Sequence, residues 1–331
     1  PRRVSLANTP TPLVHLERTS EELGVEFYIK RDDMTGAELS GNKVRKLEFL
    51  IADAIDRGCD TLITGGGEQS NHCRATALAA TRMGLSSLLC LRTLDKTRPP
   101  TTEGNIFLDR LAGAEIVWID HEDWARQQEV YEEQAAKLRS QGKKPYIIPE
   151  GGSNEIGSWG YVQCCQELDA QLDELHPADT TIVYACGSGG TGAGLMLGAK
   201  HYRFAERNIA LAGFNVCDDR AYFVERIGGI CEAFEKRYQQ GLTIKSEEIQ
   251  IIDGYVGEGY AKSRLPELEC LRDMAQREAI IFDPVYTGKA FYGLVTELKK
   301  DPSRFGKRVV FLHTGGIFGL FPSANLFDPL W

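Results

Sequence analysis

Short apolar runs alternate along the chain with stretches whose apolar residues recur at helical spacing. That rhythm belongs to βαβ units feeding mostly parallel sheets, with helices on both faces. The runs predicted as strands are Thr61–Thr64, Leu88–Leu91, Ile116–Ile119, Tyr146–Pro149, Thr181–Ala185, Ala210–Val216 and Val309–His313. Most are rich in β-branched or other apolar residues and end at glycine or a polar residue. The clearest helix follows Asn42, because Val44, Leu47, Leu50, Ile51, Ala54 and Ile55 share one face and Gly58 stands just past its end. Asn42 is the predicted N-cap. Further helices are predicted over Asn71–Arg82, Asn154–Leu172, Thr191–Lys200, Pro266–Ala279 and Lys289–Lys299. No repeat, low-complexity tract or Pro/Ser linker interrupts the pattern, so two units would interleave, with Pro149-Glu150-Gly151-Gly152 as the crossing point.

Length agrees with two units, since 331 residues is about twice the usual domain of ~150. Charge narrows the partners. With 38 Lys+Arg against 47 Asp+Glu the net charge is −9, which repels phosphate backbones and anionic lipid, so neither nucleic acid nor membrane is an expected partner. No apolar run approaches the ~18 residues of a spanning helix and no signal-peptide core is evident, so a cytoplasmic protein is expected. The 9 cysteines are odd in number, lack a C-x-x-C pair and sit mostly in apolar stretches. They read as reduced core thiols, and no metal is expected. The 34 glycines exceed the ordinary share of about 7%, and half of them flank the segments described next.

Gly187-Ser188-Gly189-Gly190-Thr191-Gly192-Ala193-Gly194 follows a predicted strand and opens a helix, where free N–H groups and the helix dipole converge on an anion. Gly187, Gly189 and Gly192 satisfy G-x-G-x-x-G, which raises an NAD(P)-dependent oxidoreductase. The ribose-binding acid of such a site belongs about 20 residues on; Asp218 and Asp219 come later, which favours a single phosphate group. Lys43, in the first turn of the helix after Asn42, is an ammonium placed against the helix dipole. If enclosed, it would titrate low, as a Schiff-base lysine must. Gly65-Gly66-Gly67-Glu68-Gln69-Ser70-Asn71-His72 is a second strand–glycine–helix junction with donors at one helix mouth. No G-x-S-x-G elbow is present, so an α/β-hydrolase is not indicated.

Lys30-Arg31-Asp32-Asp33, Gly41-Asn42-Lys43-Val44-Arg45-Lys46-Leu47-Glu48, Gln69-Ser70-Asn71-His72, Asp283-Pro284-Val285-Tyr286-Thr287-Gly288-Lys289 and His313-Thr314-Gly315-Gly316 together resemble the D-cysteine desulfhydrase and 1-aminocyclopropane-1-carboxylate (ACC) deaminase family. The match runs through nearly the whole chain in order. It implies a pyridoxal-phosphate enzyme of fold type II: an α/β protein with two open, twisted, mostly parallel sheet domains and helices on both faces. The large cofactor-binding domain would comprise 1–47 and 153–331, and the small inserted α/β domain 48–152.

The resemblance further implies that Lys43 holds pyridoxal 5'-phosphate as an internal aldimine and that Asn71 hydrogen-bonds its phenolic oxygen. Gly187, Ser188, Gly189, Gly190 and Thr191, with Lys46, would hold its phosphate. Gln69, Ser70, Asn71, His72, Tyr260 and Tyr286 would face a small amino-acid substrate, with Lys43, Ser70, Tyr260 and Tyr286 as the catalytic set. A homodimer is also implied. The chain departs from the deaminases in having Thr287 where they carry Glu, and Thr314 where they carry Leu. A hydroxyl at the pyridine nitrogen makes a weaker electron sink than a carboxylate does. β-Elimination from a substrate with a Cα–H needs less of a sink than opening a cyclopropane. The expectation is therefore a carbon–sulfur lyase, D-cysteine desulfhydrase, with L-cysteate sulfo-lyase or ACC deaminase as alternatives.

Overall fold

The computed structural model describes residues 1–331. The chain opens with β1 (Leu13–His15), α1 (Glu17–Leu23), β2 (Glu26–Lys30) and α2 (Asn42–Asp56). There follow β3 (Thr61–Gly67), α3 (Asn71–Arg82), β4 (Ser86–Arg92), α4 (Gly104–Leu111), β5 (Glu115–Ile119), α5 (His121–Ala125), α6 (Gln127–Ser140) and β6 (Pro145–Ile147). The remainder is α7 (Trp159–Asp173), β7 (Thr180–Cys186), α8 (Gly190–His201), β8 (Ile209–Asn215), α9 (Arg220–Tyr238), β9 (Ile251–Ile252), α10 (Leu265–Glu278), α11 (Thr287–Lys300), β10 (Arg308–Leu312) and α12 (Ile317–Leu320).

Two sheets result, a six-stranded one in the order β1-β2-β10-β7-β8-β9 and a four-stranded one in the order β5-β4-β3-β6. Every pairing is parallel except β1 with β2. Buried strands read as continuous apolar runs, which is why each strand expected from the sequence is present. β1, β2 and β9 were not expected, because two are very short and Glu26-Phe27-Tyr28-Ile29-Lys30 carries charges at both ends. The 19-residue α9 was also missed. Its apolar face, Phe223, Ile227, Ile230 and Phe234, is interrupted by Gly228-Gly229, a pair that reads as a break.

Several helix starts are displaced from expectation, and at two of them the contacts show why. α7 begins at Trp159, because the Asn154 carboxamide accepts from the Gly157 amide at 2.9 Å and holds the preceding residues in turns. Asn42 is the first residue of α2 and Gly41 is its cap, with φ of +97°. A Cβ at Gly41 would stand 2.8 Å from the Thr314 carbonyl, which already accepts the Asn42 amide at 3.1 Å. The Asn42 side chain is thereby freed to donate to Thr191 Oγ1 at 3.1 Å.

α2 is anchored on two sides. Val44, Leu47, Leu50 and Ile51 pack with α3 and the four-stranded sheet in one apolar core. On its other face, buried Arg45 grips Asp32 through two hydrogen bonds of 2.8 Å and Glu167 of α7 at 2.7 Å. Tyr161 adds a bond to Asp32 at 2.7 Å. The N-terminus of α2, with Lys43, is thus held between the two sheets.

Candidate active site

A cavity of about 350 Å³ opens at the C-terminal ends of β3, β7 and β10, where the starts of α2, α3 and α8 converge. Ligands of parallel α/β folds bind at such strand ends. Its walls include Lys43, Ser70, Asn71, His72, Gly187, Ser188, Gly189, Thr191, Tyr260, Tyr286 and Thr314.

Burial lowers the pKa of Lys43 to about 8, against the charge of Glu150, which raises it. The condition set by its place at a helix N-terminus, that it be enclosed, is met. Around it, a Cβ at Gly151 would lie 3.2 Å from Lys43 Nζ and 2.5 Å from Ser188 Oγ, so only glycine lets the amine and the loop meet there. The Glu150 carboxyl is pushed upward by burial, opposed chiefly by Lys43. Lys46, one turn on, is buried and donates to the Gly151 carbonyl at 3.2 Å. Its pKa falls well below the usual value through burial and then through Lys43.

The α8 junction forms an anion cradle. Gly189 caps the helix with φ of +79°, and no side chain satisfies the first amides of α8. Gly190 must be glycine, since a Cβ would lie 2.5 Å from Ser153 Oγ. Ser188 Oγ meets Ser153 Oγ at 2.9 Å. Opposite, Ser70 caps α3, its Oγ accepting the Cys73 amide at 3.2 Å, so its own proton is free for a ligand. Tyr260 and Tyr286 share a short hydrogen bond between their hydroxyls, their ring centroids 5.8 Å apart. Burial raises the pKa of Tyr260 to about 12 and that of Tyr286 well above the usual phenol value. Both are neutral phenols at neutral pH.

The remaining expected residues stand elsewhere or do other work. His72 Nε2 lies 2.9 Å from Thr64 Oγ1, whose proton goes to the Ile148 carbonyl at 2.9 Å. His72 therefore donates from Nε2, and burial holds it neutral. Gln69 turns away to serve Asn105 and Glu103. Thr287 is fully buried and donates to Asp283 Oδ1 at 2.6 Å. That carboxylate also accepts the amides of Val285, Tyr286 and Thr287 at 2.8–2.9 Å, so the motif caps the start of α11 and Thr287 does not line the cavity. Thr314 does. Of the three glycines that end β3, Gly65 is small to admit Tyr131 and the Cys90 carbonyl, a packing role. Only Gly66 and Gly67 border the cavity. Sequence reasoning missed Arg92, Trp124, Glu150 and Arg226 in the walls. Arg92 lies over the Trp124 ring at 4.9 Å.

A low-titrating lysine facing an uncapped helix N-terminus, between two parallel sheets, defines a class: an α/β enzyme that takes a phosphate-bearing carbonyl cofactor. The residues present fit pyridoxal phosphate, with Lys43 for its aldehyde and the α8 cradle for its phosphate. The chain belongs to the family of pyridoxal-phosphate dependent enzymes, whose profile matches residues 4–315. It is 43% identical over 330 residues to the bifunctional D-cysteine desulfhydrase/1-aminocyclopropane-1-carboxylate deaminase, mitochondrial, of Arabidopsis thaliana, covering 97% of this chain and 80% of that protein. It is 37% identical over 322 residues to the D-cysteine desulfhydrase of Serratia proteamaculans, covering 96% and 95%. A solved ACC deaminase homologue superposes with a TM-score of 0.89 at 37% identity, covering 100% and 96%. A fungal L-serine ammonia-lyase from Rhizomucor miehei shares the fold, with a TM-score of 0.67 at 18% identity and coverage of 97% and 99%. The chain is a pyridoxal-phosphate dependent lyase of the D-cysteine desulfhydrase/ACC deaminase family. None of its helices is long and apolar enough to cross a membrane.

Proposed function

We propose that the protein converts D-cysteine and water to pyruvate, sulfide and ammonia. The observation that carries this reading lies at the two positions where the resemblance sets the chain apart from the deaminases: Thr287, in place of their Glu, spends its hydroxyl on Asp283, and Thr314, in place of their Leu, is a hydroxyl at the cavity wall, so neither brings a carboxylate there. Asp283, the carboxylate of the Asp-Pro-Val-Tyr motif, is already saturated with hydrogen bonds at α11. Bound pyridoxal phosphate supplies an electron sink for charge developing at the substrate Cα.

The chain's own residues do the rest. The amides of Gly187–Thr191 hold the phosphate and Asn71 donates to the phenolic oxygen. Ser70 donates to the substrate carboxylate. Lys43, with its lowered pKa, removes the Cα proton. Tyr286, in partnership with Tyr260, gives a proton to the leaving sulfur. We also place the large cofactor-binding domain at 1–47 and 153–331 and the small one at 48–152; in support, the strands of the four-stranded sheet all fall within 61–147. A cytosolic location is part of the same reading, supported by cysteines that are all unpaired.

A second reading has its own observation. Arg92 and Arg226 line the cavity, and cations there would suit the sulfonate of L-cysteate, against the opposing charge of Glu150. A panel assay separates the readings: pyruvate release from D-cysteine, L-cysteine, L-cysteate and β-chloro-D-alanine, with 2-oxobutyrate release from ACC. D-Cysteine is expected to give the highest kcat/KM. Sulfite release from L-cysteate exceeding sulfide release, or ACC turnover matching that of D-cysteine, would overturn the proposal.

A further inference from the structure

Asn71 reaches the cavity from the first turn of α3, and the end of its carboxamide that faces inward decides what it can bind. Amide oxygen and nitrogen have the same outline, so their orientation must be read from partners of fixed polarity. Asn105, fully buried in the first turn of α4, has two such partners. Its Oδ1 accepts from Arg74 Nε at 3.1 Å, and a guanidinium only donates. Its Nδ2 donates to the Gln69 carbonyl at 3.0 Å, and a carbonyl only accepts. Neither contact can be reversed. The same Nδ2 donates to Asn71 Oδ1 at 3.0 Å, which leaves the Asn71 NH2 for the cavity.

Each member of this chain is itself held. Arg74 donates to the carbonyls of Glu38 and Ser40, the latter at 2.9 Å, and lies 5.0 Å from the centre of the Phe318 ring. The backbone amide of Asn105 donates to Gln69 Oε1 at 2.8 Å. Gln69, which the resemblance assigned to substrate, thus has a place in this support.

We infer that Asn105 is a positioning residue that carries the donor polarity of Arg74 through to Asn71, so that Asn71 presents N–H groups to the phenolic oxygen of bound pyridoxal phosphate. The inference rests on the proposed placement of Asn71 at that oxygen. A donor there stabilises the oxygen anion, whereas a carbonyl would repel it.

The test uses the holoenzyme without substrate. In Asn105→Asp the carboxylate gives Arg74 an acceptor but has no N–H for Asn71, whose NH2 then turns from the cavity. The cofactor's absorbance is expected to move from the visible towards the near ultraviolet, in the direction that Asn71→Ala moves it. Its affinity should fall about tenfold, as for one lost hydrogen bond to a charged oxygen. A native spectrum and affinity in Asn105→Asp, with both altered in Asn71→Ala, would overturn the role of Asn105 alone. A native spectrum in Asn71→Ala would remove the placement of Asn71 and the inference with it. If Asn105→Asp does not fold, a neutron structure of the unmutated holoenzyme decides. Deuterons on the Asn105 atom facing Asn71 support the inference, and an oxygen there overturns it.

Discussion

Lys43 must lose its proton before it can attack an aldehyde, and burial brings its pKa to about 8. The rate at which apoenzyme rebinds cofactor should therefore rise with pH through about 8. Glu150 raises that pKa, so Glu150→Gln should move the midpoint lower and speed rebinding at pH 7, a shift that stopped-flow absorbance measures. Tyr286, whose pKa is raised by burial, stays protonated through the working range. Tyr286→Phe should lower kcat on D-cysteine by about 10²–10⁴, the span of one general acid, with little change in KM. That Lys43 and Tyr286 stand at the cavity was legible because each lies in a motif whose neighbours carry it. Glu150, Arg92 and Arg226 were not. Arg92 is the last residue of β4, Glu150 follows the short β6, and Arg226 belongs to the helix hidden by Gly228-Gly229. Thr287 misled for a physical reason: next to Asp-Pro a threonine is as well suited to a helix start as to a ligand, and here Asp283 takes its hydroxyl.

The elements bearing these residues are locked by polar networks that the apolar pattern does not reveal. α2 owes its position to Arg45, Asp32, Tyr161 and Glu167. Breaking a buried pair on one side costs about 3–5 kcal/mol. For a chain of this length, Asp32→Ala should then lower Tm by about 4–7 °C, as calorimetry would register. Burial works against ionisation of Asp32, but the Arg45 charge prevails and its pKa is lowered. A carboxyl depressed in the folded state adds stability that is complete above its unfolded pKa, about 4, and is lost as pH falls through the folded value. Asp32→Ala should therefore lose its penalty in acid. Seven of the ten strands were legible from their apolar runs, and α2, α3 and α8 from their spacing and junctions. The glycine surplus was only half read. Gly194 and Gly198 let α7 and α8 approach closely, since Cβ atoms there would press on Tyr161 and Cys165.

At the scale of the molecule, the cavity draws walls from both sheets, so a bound cofactor links them. Ligand at 100 times its Kd adds about 2.7 kcal/mol, which for this length is about 4 °C in Tm between apoenzyme and holoenzyme. A scanning comparison that finds no difference would count against a cofactor seated between the sheets. The four-stranded sheet is inserted in sequence between β2 and β7 of the six-stranded one, and that topology explains how residues as distant as Lys43, Thr191 and Thr314 meet at one cavity. Lys43, and not its buried neighbour Lys46, is expected to carry the cofactor. Borohydride reduction of the holoenzyme followed by peptide mapping should yield a single phosphopyridoxyl label on Lys43; a label on Lys46, or none, would contradict that assignment.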